Sequence, residues 1–374
     1  MLAVNYCNRC ILPDTRPNLV LNEHGVCNAC ESHATKRTID WAARTAAFRK
    51  AVDHAKSRST GYDCLIPVSG GKDSTWQVVK CLEYGLNPLV VTWKSPGRTE
   101  LGAQNLGNLV NLGVDHIDYQ ISPDVERKFT YEALERYGSP AIPMHMAIFN
   151  LPPKIAASFR IPLVVWGENS AFEYGGPEEE WTGFQLNGAW LRRYGVTQGT
   201  TAQDWIGTLT RRELTPYFGP TEQELEASGV TAIFLGYYFE WDPQTTRDIA
   251  VANGFQARSA GAKTGYYDYA DIDDDFISVH HWLKWYKFGF TRLFDNLSLE
   301  IRNGRLTREQ AVAIVRNRGD ETPHEDIGKL CHFLNISGGH FFAICETFRN
   351  HDIWRREDNA WKIPHFLIRD WSWT

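Results

Sequence analysis

A chain of 374 residues is long enough for two or three domains and a large core. With 43% hydrophobic and 22% charged residues it belongs among globular proteins, and no apolar run reaches the roughly 20 residues of a membrane helix, so membrane insertion is not expected. A formal net charge of −6 supplies no general basic field for a nucleic-acid backbone, so no nucleic-acid partner is expected.

The opening Met1-Leu2-Ala3-Val4-Asn5-Tyr6-Cys7 has neither a basic nor an apolar signal segment, which points to the cytoplasm. Cys7-x-x-Cys10 and Cys27-x-x-Cys30, with residues 11–26 between them, have the spacing of a four-cysteine zinc site. Ile11-Leu12-Pro13 and Leu19-Val20-Leu21 flank a polar turn, and Asn22 to Val26 leads into the second pair, as in a zinc-ribbon hairpin. One doublet alone also reads as a redox pair; two at this spacing favour structural Zn2+ at Cys7, Cys10, Cys27 and Cys30. A ribbon over residues 1–36 is too small to build its own core, so the metal is expected to supply its folding energy.

Thr38 to Lys56 reads as a helix with Trp41, Ala42, Phe48 and Val52 inward, and Ser57 to Gly61 breaks it. Asp63 to Val68 is then an apolar run of strand length that gives way to Ser69-Gly70-Gly71-Lys72-Asp73-Ser74. From Lys72 to Tyr84 the spacing of Trp76, Val79 and Leu82 predicts a helix. Strand, tight glycine loop and helix make an anion site, because glycines admit a ligand close to the backbone and first-turn N–H groups point at it. The common phosphate loop is excluded, since it puts four residues between its glycine and a Gly-Lys-Ser/Thr. The six residues instead resemble the pyrophosphate loop, Ser-Gly-Gly-x-Asp-Ser, of ATP pyrophosphatases that activate a carbonyl by adenylation. A glycine turn without a ligand is the plainer alternative.

Next come a strand at Pro88–Trp93, a helix at Leu101–Leu112, a strand at Asp115–Tyr119, helices at Asp124–Tyr137 and His145–Phe159, and a strand at Ile161–Trp166 that runs into Gly167-Glu168-Asn169. This alternation predicts an α/β fold with a parallel, doubly wound sheet. Ligands in such sheets lie beyond the carboxyl ends of the strands, so Ser69–Ser74, Trp93–Arg98 and Gly167–Asn169 are expected to form one site. Residues 170–230, with Gly175-Gly176-Pro177, consecutive glutamates from Glu178, and Trp181, Trp190 and Trp205, read as an insertion over that site. Ala232–Phe239 restores a strand, after which the chain reads as helical to its end, most clearly at His280–Lys287, Thr307–Asn317 and Ile327–Leu334. Thr307-x-x-Gln310 is a capping box. The expected division is a ribbon at 1–36, a nucleotide domain at 37–245 carrying the insertion, and a mainly helical region at 246–374. With 14 Trp and 15 Tyr, many after residue 165, the rings either line pockets or fill the core.

As a whole the chain resembles the N-acetyl sugar amidotransferase family of bacterial surface-polysaccharide, O-antigen and nonulosonic-acid biosynthesis. The ribbon and the loop carry that likeness, with Asn105–Leu109, Leu112–Asp115, Trp166–Asn169, Glu173–Gly176, Gly236–Asp242, Lys287–Phe290 and Ile301–Arg305. It departs near Asp273-Asp274, where a cysteine following the aspartate is expected and none stands. The resemblance implies an AMP- and pyrophosphate-forming ligase that converts the acetamido group of a nucleotide-linked sugar to acetamidino. ATP would adenylate the amide oxygen, and ammonia would then displace AMP. Ser69, Gly70, Gly71 and Ser74 would hold the pyrophosphate, while Lys72 and a Mg2+ ion near Asp73 offset its charge. Trp93 and Gly167 would face the nucleotide, Glu168 and Asn169 the nucleotide or the acetamido end, and Glu173 and Tyr174 the sugar; Arg302 and Arg305 would clamp a phosphate or carboxylate. Plainer readings are a solvated first-turn Lys72, a core Trp93, charged loop residues at Glu168 and Glu173, and surface arginines.

A glutaminase needs its own activated cysteine, and no cysteine here has that context: residue 2 is Leu, the first cysteines are committed to zinc, and Cys331 and Cys345 lie in helical stretches. Ammonia is therefore expected from a separate subunit similar to the glutaminase of histidine biosynthesis, with its cyclase-like companion. A tRNA-thiolating enzyme shares zinc knuckles and the loop, but Cys64, Cys81, Cys331 and Cys345 make no catalytic pair.

Overall fold

The computed structural model describes residues 3–175, 197–369 and 371. A five-stranded sheet lies at its centre: β1 (Cys64–Pro67), β2 (Pro88–Trp93), β3 (Asp115–Tyr119), β4 (Leu163–Trp166) and β5 (Thr231–Phe234). The order is β3-β2-β1-β4-β5 and every pairing is parallel. Around it run α1 (Asn28–Thr35), α2 (Trp41–Arg58), α3 (Lys72–Glu83), α4 (Glu100–Val110), α5 (Pro123–Tyr137) and α6 (Ile142–Phe159). Strand order reverses between β1 and β4, so the loop leaving β1 opens onto the crevice where such sheets hold ligands.

Alternation along the strands divides two cores. Cys64, Ile66, Val90, Leu163, Val165 and Ile233 pack with Phe48, Trp76 and Val78, whereas Leu65, Leu89, Val91, Val164, Trp166 and Phe234 pack with Ala156 and Ile161. Strands covered on both faces read as unbroken apolar runs, which is why β1, β2 and β4 stand out in the sequence. β3 lies at the sheet edge and is correspondingly polar.

Three expectations change. α2 begins at Trp41, because Asp40 caps it by accepting from the Ala43 N–H; Lys36–Thr38 is a separate 3-10 turn and Ala42 is exposed. The strand expected at Ala232–Phe239 ends at Phe234, and Leu235–Tyr238 is one helical turn. That turn carries the Gly236 N–H onto the Gly167 carbonyl at 3.0 Å, close enough that a Cβ on Gly236 would sit 3.1 Å from the Glu168 Cα. Nor is the C-terminal region helical throughout. After helices at Asp275–Phe288, Arg292–Arg302, Arg308–Arg318, His324–Leu334 and Gly338–Thr347 comes an antiparallel hairpin, β6 (Arg355–Glu357) and β7 (Ala360–Lys362). Its two linking residues, Asp358 and Asn359, both have positive φ, the twist that a two-residue hairpin turn requires. The Thr307/Gln310 capping box is present.

The ribbon has more than its cysteines to hold it. Val4, Ile11, Leu12 and Leu19 share one core with Trp285, Phe294, Trp354, Phe366 and Trp371, so it buries its apolar side chains against the C-terminal helices. Much of the aromatic excess is spent there. In the region read as an insertion, Glu178, Trp181 and Trp190 lie outside the described residues; Trp205 is core, packed on Phe129 and Tyr137. Among the described residues no helix is long and apolar enough to cross a membrane.

Candidate active site

The loop turns sharply off β1 and is fixed by its own serines. Ser69 donates its N–H to the Ser74 Oγ at 3.0 Å, and Gly71 donates its N–H to the Ser69 Oγ at 3.2 Å. Among the described residues no side chain caps the N-terminus of α3, so its first turn meets the crevice directly. Gly70 has φ +90°, and a Cβ there would lie 2.8 Å from both the Gly102 carbonyl oxygen and the Leu106 nitrogen of α4. Gly70→Ala is therefore expected to cost at least about 1–2 kcal/mol of stability and to displace the loop, measurable as a lower thermal midpoint together with lost nucleotide binding.

This loop forms one wall of a polar cavity of about 230 Å³. Ser69, Gly71, Lys72, Asp73, Ser74, Glu168 and Tyr174 line it from the sheet side. Opposite them stand Trp241, Tyr267, Tyr269, Asp271, Asp273, Arg292 and Asn296. Lys72 is not a solvated lysine: it is buried, it donates to both oxygens of Asp73 at 2.7 and 2.6 Å, and its Nζ lies 5.2 Å from the Trp241 ring centre. The Asp73 side chain keeps 33% exposure and so remains open to a ligand. Burial, followed by the charge of Asp73, pushes the Glu168 carboxyl up to about 7, a value suited to taking and releasing protons near neutrality. Asn169 is buried behind it, its carbonyl accepting the Phe172 and Glu173 N–H groups. Gly167 is held tightly, for a Cβ there would lie 2.2 Å from Gln77 Nε2.

A second, mainly apolar cavity of about 180 Å³ adjoins the loop, lined by Pro67, Val68, Ser69, Ser74, Val91, Trp93 and Trp166. Trp93 is thus at the site, although its indole N–H is occupied by Glu126 at 2.7 Å. The Trp166 indole N–H is buried without a partner among the described residues.

Other expected residues have different partners. Glu173 is 4% exposed and pairs with Lys36 at 2.9 Å, away from the cavity lining, because a buried carboxylate needs a counter-charge. Arg305 is held by Glu300 and Asp242. Arg302 donates to the Glu173 carbonyl at 3.1 Å, while the cysteine cluster raises its pKa against the pull of burial. It serves as a counter-charge beside the thiols, so neither arginine reaches into the cavity. Asp274, at the place where a thiol is expected nearby, caps the Asp275–Phe288 helix and accepts from Ser95 at 2.6 Å. Tyr267, Tyr269, Asp271, Arg292 and Asn296 belong to no motif read from the sequence, and Trp241 lies within the Gly236–Asp242 stretch without a role expected of it. Their signals are short: Asp271-x-Asp273, Tyr266-Tyr267-x-Tyr269, and the Trp241 that sits between Glu240 and Asp242.

Cys7, Cys10, Cys27 and Cys30 come together, all buried, with their sulfurs within 4.8 Å of one another and none in a disulfide. The Cys7–Cys30 and Cys10–Cys27 contacts of 3.9 and 3.6 Å match the spacing of about 3.8 Å that Zn–S bonds of about 2.3 Å give at tetrahedral angles. The N–H groups of Arg9, Cys10 and Cys27 all donate to Cys7 Sγ, as suits a thiolate. These residues fit a zinc ion.

A parallel sheet of this order, with Ser-Gly-Gly-Lys-Asp-Ser at its switch point, defines the class: an α/β protein whose glycine loop resembles a pyrophosphate loop, with a four-cysteine ribbon and a largely helical C-terminal region. Residues 262–367 match the family described as "LPS biosynthesis protein WbpG-like, C-terminal domain". No curated protein matches the chain in sequence. Among solved structures it is similar to a predicted subunit of tRNA methyltransferase from Methanocaldococcus jannaschii, at 17% identity and TM-score 0.27, over 50% of this chain and 75% of that one. It is also similar to NMN synthetase from Francisella tularensis, at 12% identity and TM-score 0.35, over 79% of this chain and 94% of that one. At such scores neither likeness bears on function. The WbpG-like segment contains Tyr267, Tyr269, Asp271, Asp273, Arg292 and Asn296, the wall that faces the loop.

Proposed function

We propose that the protein is an ATP-dependent amidotransferase of lipopolysaccharide or related surface-polysaccharide biosynthesis, forming an acetamidino group from the acetamido group of a nucleotide-linked sugar. The observation that carries this reading is the shared cavity, where the pyrophosphate loop faces the WbpG-like segment across about 230 Å³. An amide carbonyl is a poor electrophile with a poor leaving group. Attack of its oxygen on the α-phosphorus of ATP expels pyrophosphate and leaves an adenylated imidate, from which ammonia displaces AMP. The loop serines and the first turn of α3 hold the departing pyrophosphate, and Lys72 offsets its charge. Asp73 would hold a magnesium ion, which supplies further charge stabilisation. Tyr267, Tyr269 and Asn296 are proposed to hold the sugar in place of Glu173, Arg302 and Arg305, and the apolar cavity at Trp93 and Trp166 the adenine.

Glu168 takes the proton lost by ammonia as the C–N bond forms. It does so only when ionised, so at constant free ammonia the rate should rise with pH through about 7. Glu168→Gln should lower the rate about a hundredfold and abolish that rise; a pH profile unchanged by the substitution would remove Glu168 from this role. Among the described residues no cysteine lines the cavity, which favours nitrogen over sulfur transfer.

Ammonia is proposed to come from a partner glutaminase with its cyclase-like companion. The isolated chain should then use ATP and ammonium salts but fail with glutamine alone, a difference read by mass spectrometry of the sugar product. Efficient glutamine use by the single chain would place the ammonia source inside it.

A further inference from the structure

Among the described residues beyond the loop, a side chain touches the proposed metal-binding carboxylate. The Trp241 indole N–H donates to Asp73 Oδ1 at 3.0 Å, and Trp241 is only 3% exposed. Its backbone is fixed in turn, since the Trp241 carbonyl accepts from Lys36 Nζ at 2.9 Å. Lys36 follows directly on α1, the helix that carries Cys30, and is 5% exposed. The same Nζ pairs with Glu173 at 2.9 Å, and Arg302 ties the Glu173 carbonyl down at 3.1 Å from beside the cysteine cluster. A continuous set of buried polar contacts therefore runs from the ribbon to the nucleotide loop.

We propose that Trp241 is a positioning residue that orients the Asp73 carboxylate for magnesium-bound ATP, and that Lys36 of the ribbon braces it. This rests on the pyrophosphate-loop reading of the site. Lys72 also holds Asp73 and can swing toward a phosphate when the nucleotide arrives, because it is a flexible chain carrying a point charge. The indole cannot follow: its ring is buried and its carbonyl is pinned. With one carboxylate oxygen held by the indole, the other is left in a defined direction for the cation, and ligands oriented in this way bind metal more tightly. The arrangement also gives the ribbon a use at the active site besides its own stability.

Calorimetric binding of α,β-methylene-ATP, with and without magnesium, tests this apart from turnover. In the parent, magnesium should tighten binding. Trp241→Phe, which keeps a packed ring and removes the N–H, should lose about tenfold of that magnesium-dependent gain and leave binding of the free nucleotide unchanged. Lys36→Met combined with Glu173→Gln, which frees the Trp241 carbonyl without stranding a buried charge, should lose part of the same gain, and it stands as the test if Trp241→Phe fails to fold. A magnesium-dependent gain that is intact in a folded variant overturns the proposal and leaves the function untouched. No binding of the analogue by the parent protein would overturn the nucleotide reading and this inference with it.

Discussion

Asp73→Ala is expected to lower ATP turnover by at least about a hundredfold while changing the thermal midpoint by only a few degrees. The carboxylate sits in the cavity at 33% exposure and fills no core position, so little packing depends on it. Of its partners, Lys72 keeps the nearby Glu168 carboxyl and the Trp241 ring, and only the Trp241 indole N–H loses its acceptor, at the wall of the polar cavity. Asp73→Asn keeps an oxygen for the indole N–H and removes only the charge, so an equal loss from both variants would identify the charge as the essential feature. Steady-state release of pyrophosphate measures this, and a variant retaining activity within tenfold of the parent would exclude Asp73 from the chemistry.

Removing half of the cysteine cage should have the largest effect on the fold. Structural zinc in small cysteine sites contributes apparent binding energies of about 10–16 kcal/mol at neutral pH, comparable to the whole stability of a domain. Cys27→Ser with Cys30→Ser is expected to abolish zinc binding and to release the ribbon. Because Ile11, Leu12 and Leu19 share a core with Trp285, Phe294 and Trp354, loosening should spread to the C-terminal helices. Elemental analysis and hydrogen exchange over residues 275–302 read both effects. Full zinc retention by the double variant, or a C-terminal region as protected as in the parent, would contradict this account.

The sheet was legible because its inner strands are unbroken apolar runs, and β2 and β3 begin and end where the residues indicate. The cysteine cage and the loop were legible because their chemistry requires fixed residue types at fixed spacing. The far wall of the cavity was not. Trp241, Tyr267 and Arg292 become site residues only through contacts far along the chain, such as the bond from Trp241 to Asp73. Charge misled in the opposite direction: Glu173, Arg302 and Arg305 stand in motif-like surroundings, yet each is consumed by a neighbouring charge or carbonyl. The helical turn at Leu235–Tyr238 was hidden for a related reason. Its aromatic run has the composition of a strand, and it is the packing of Gly236 on Gly167 and Glu168 that turns the chain.

The central claim is tested most directly by identifying the nucleotide products when the purified chain is given a nucleotide-linked acetamido sugar, ATP, magnesium and ammonium. The account predicts AMP and pyrophosphate in equal amounts, with one acetamidino group formed for each. Formation of ADP and orthophosphate, or release of AMP that does not depend on the sugar, would contradict it.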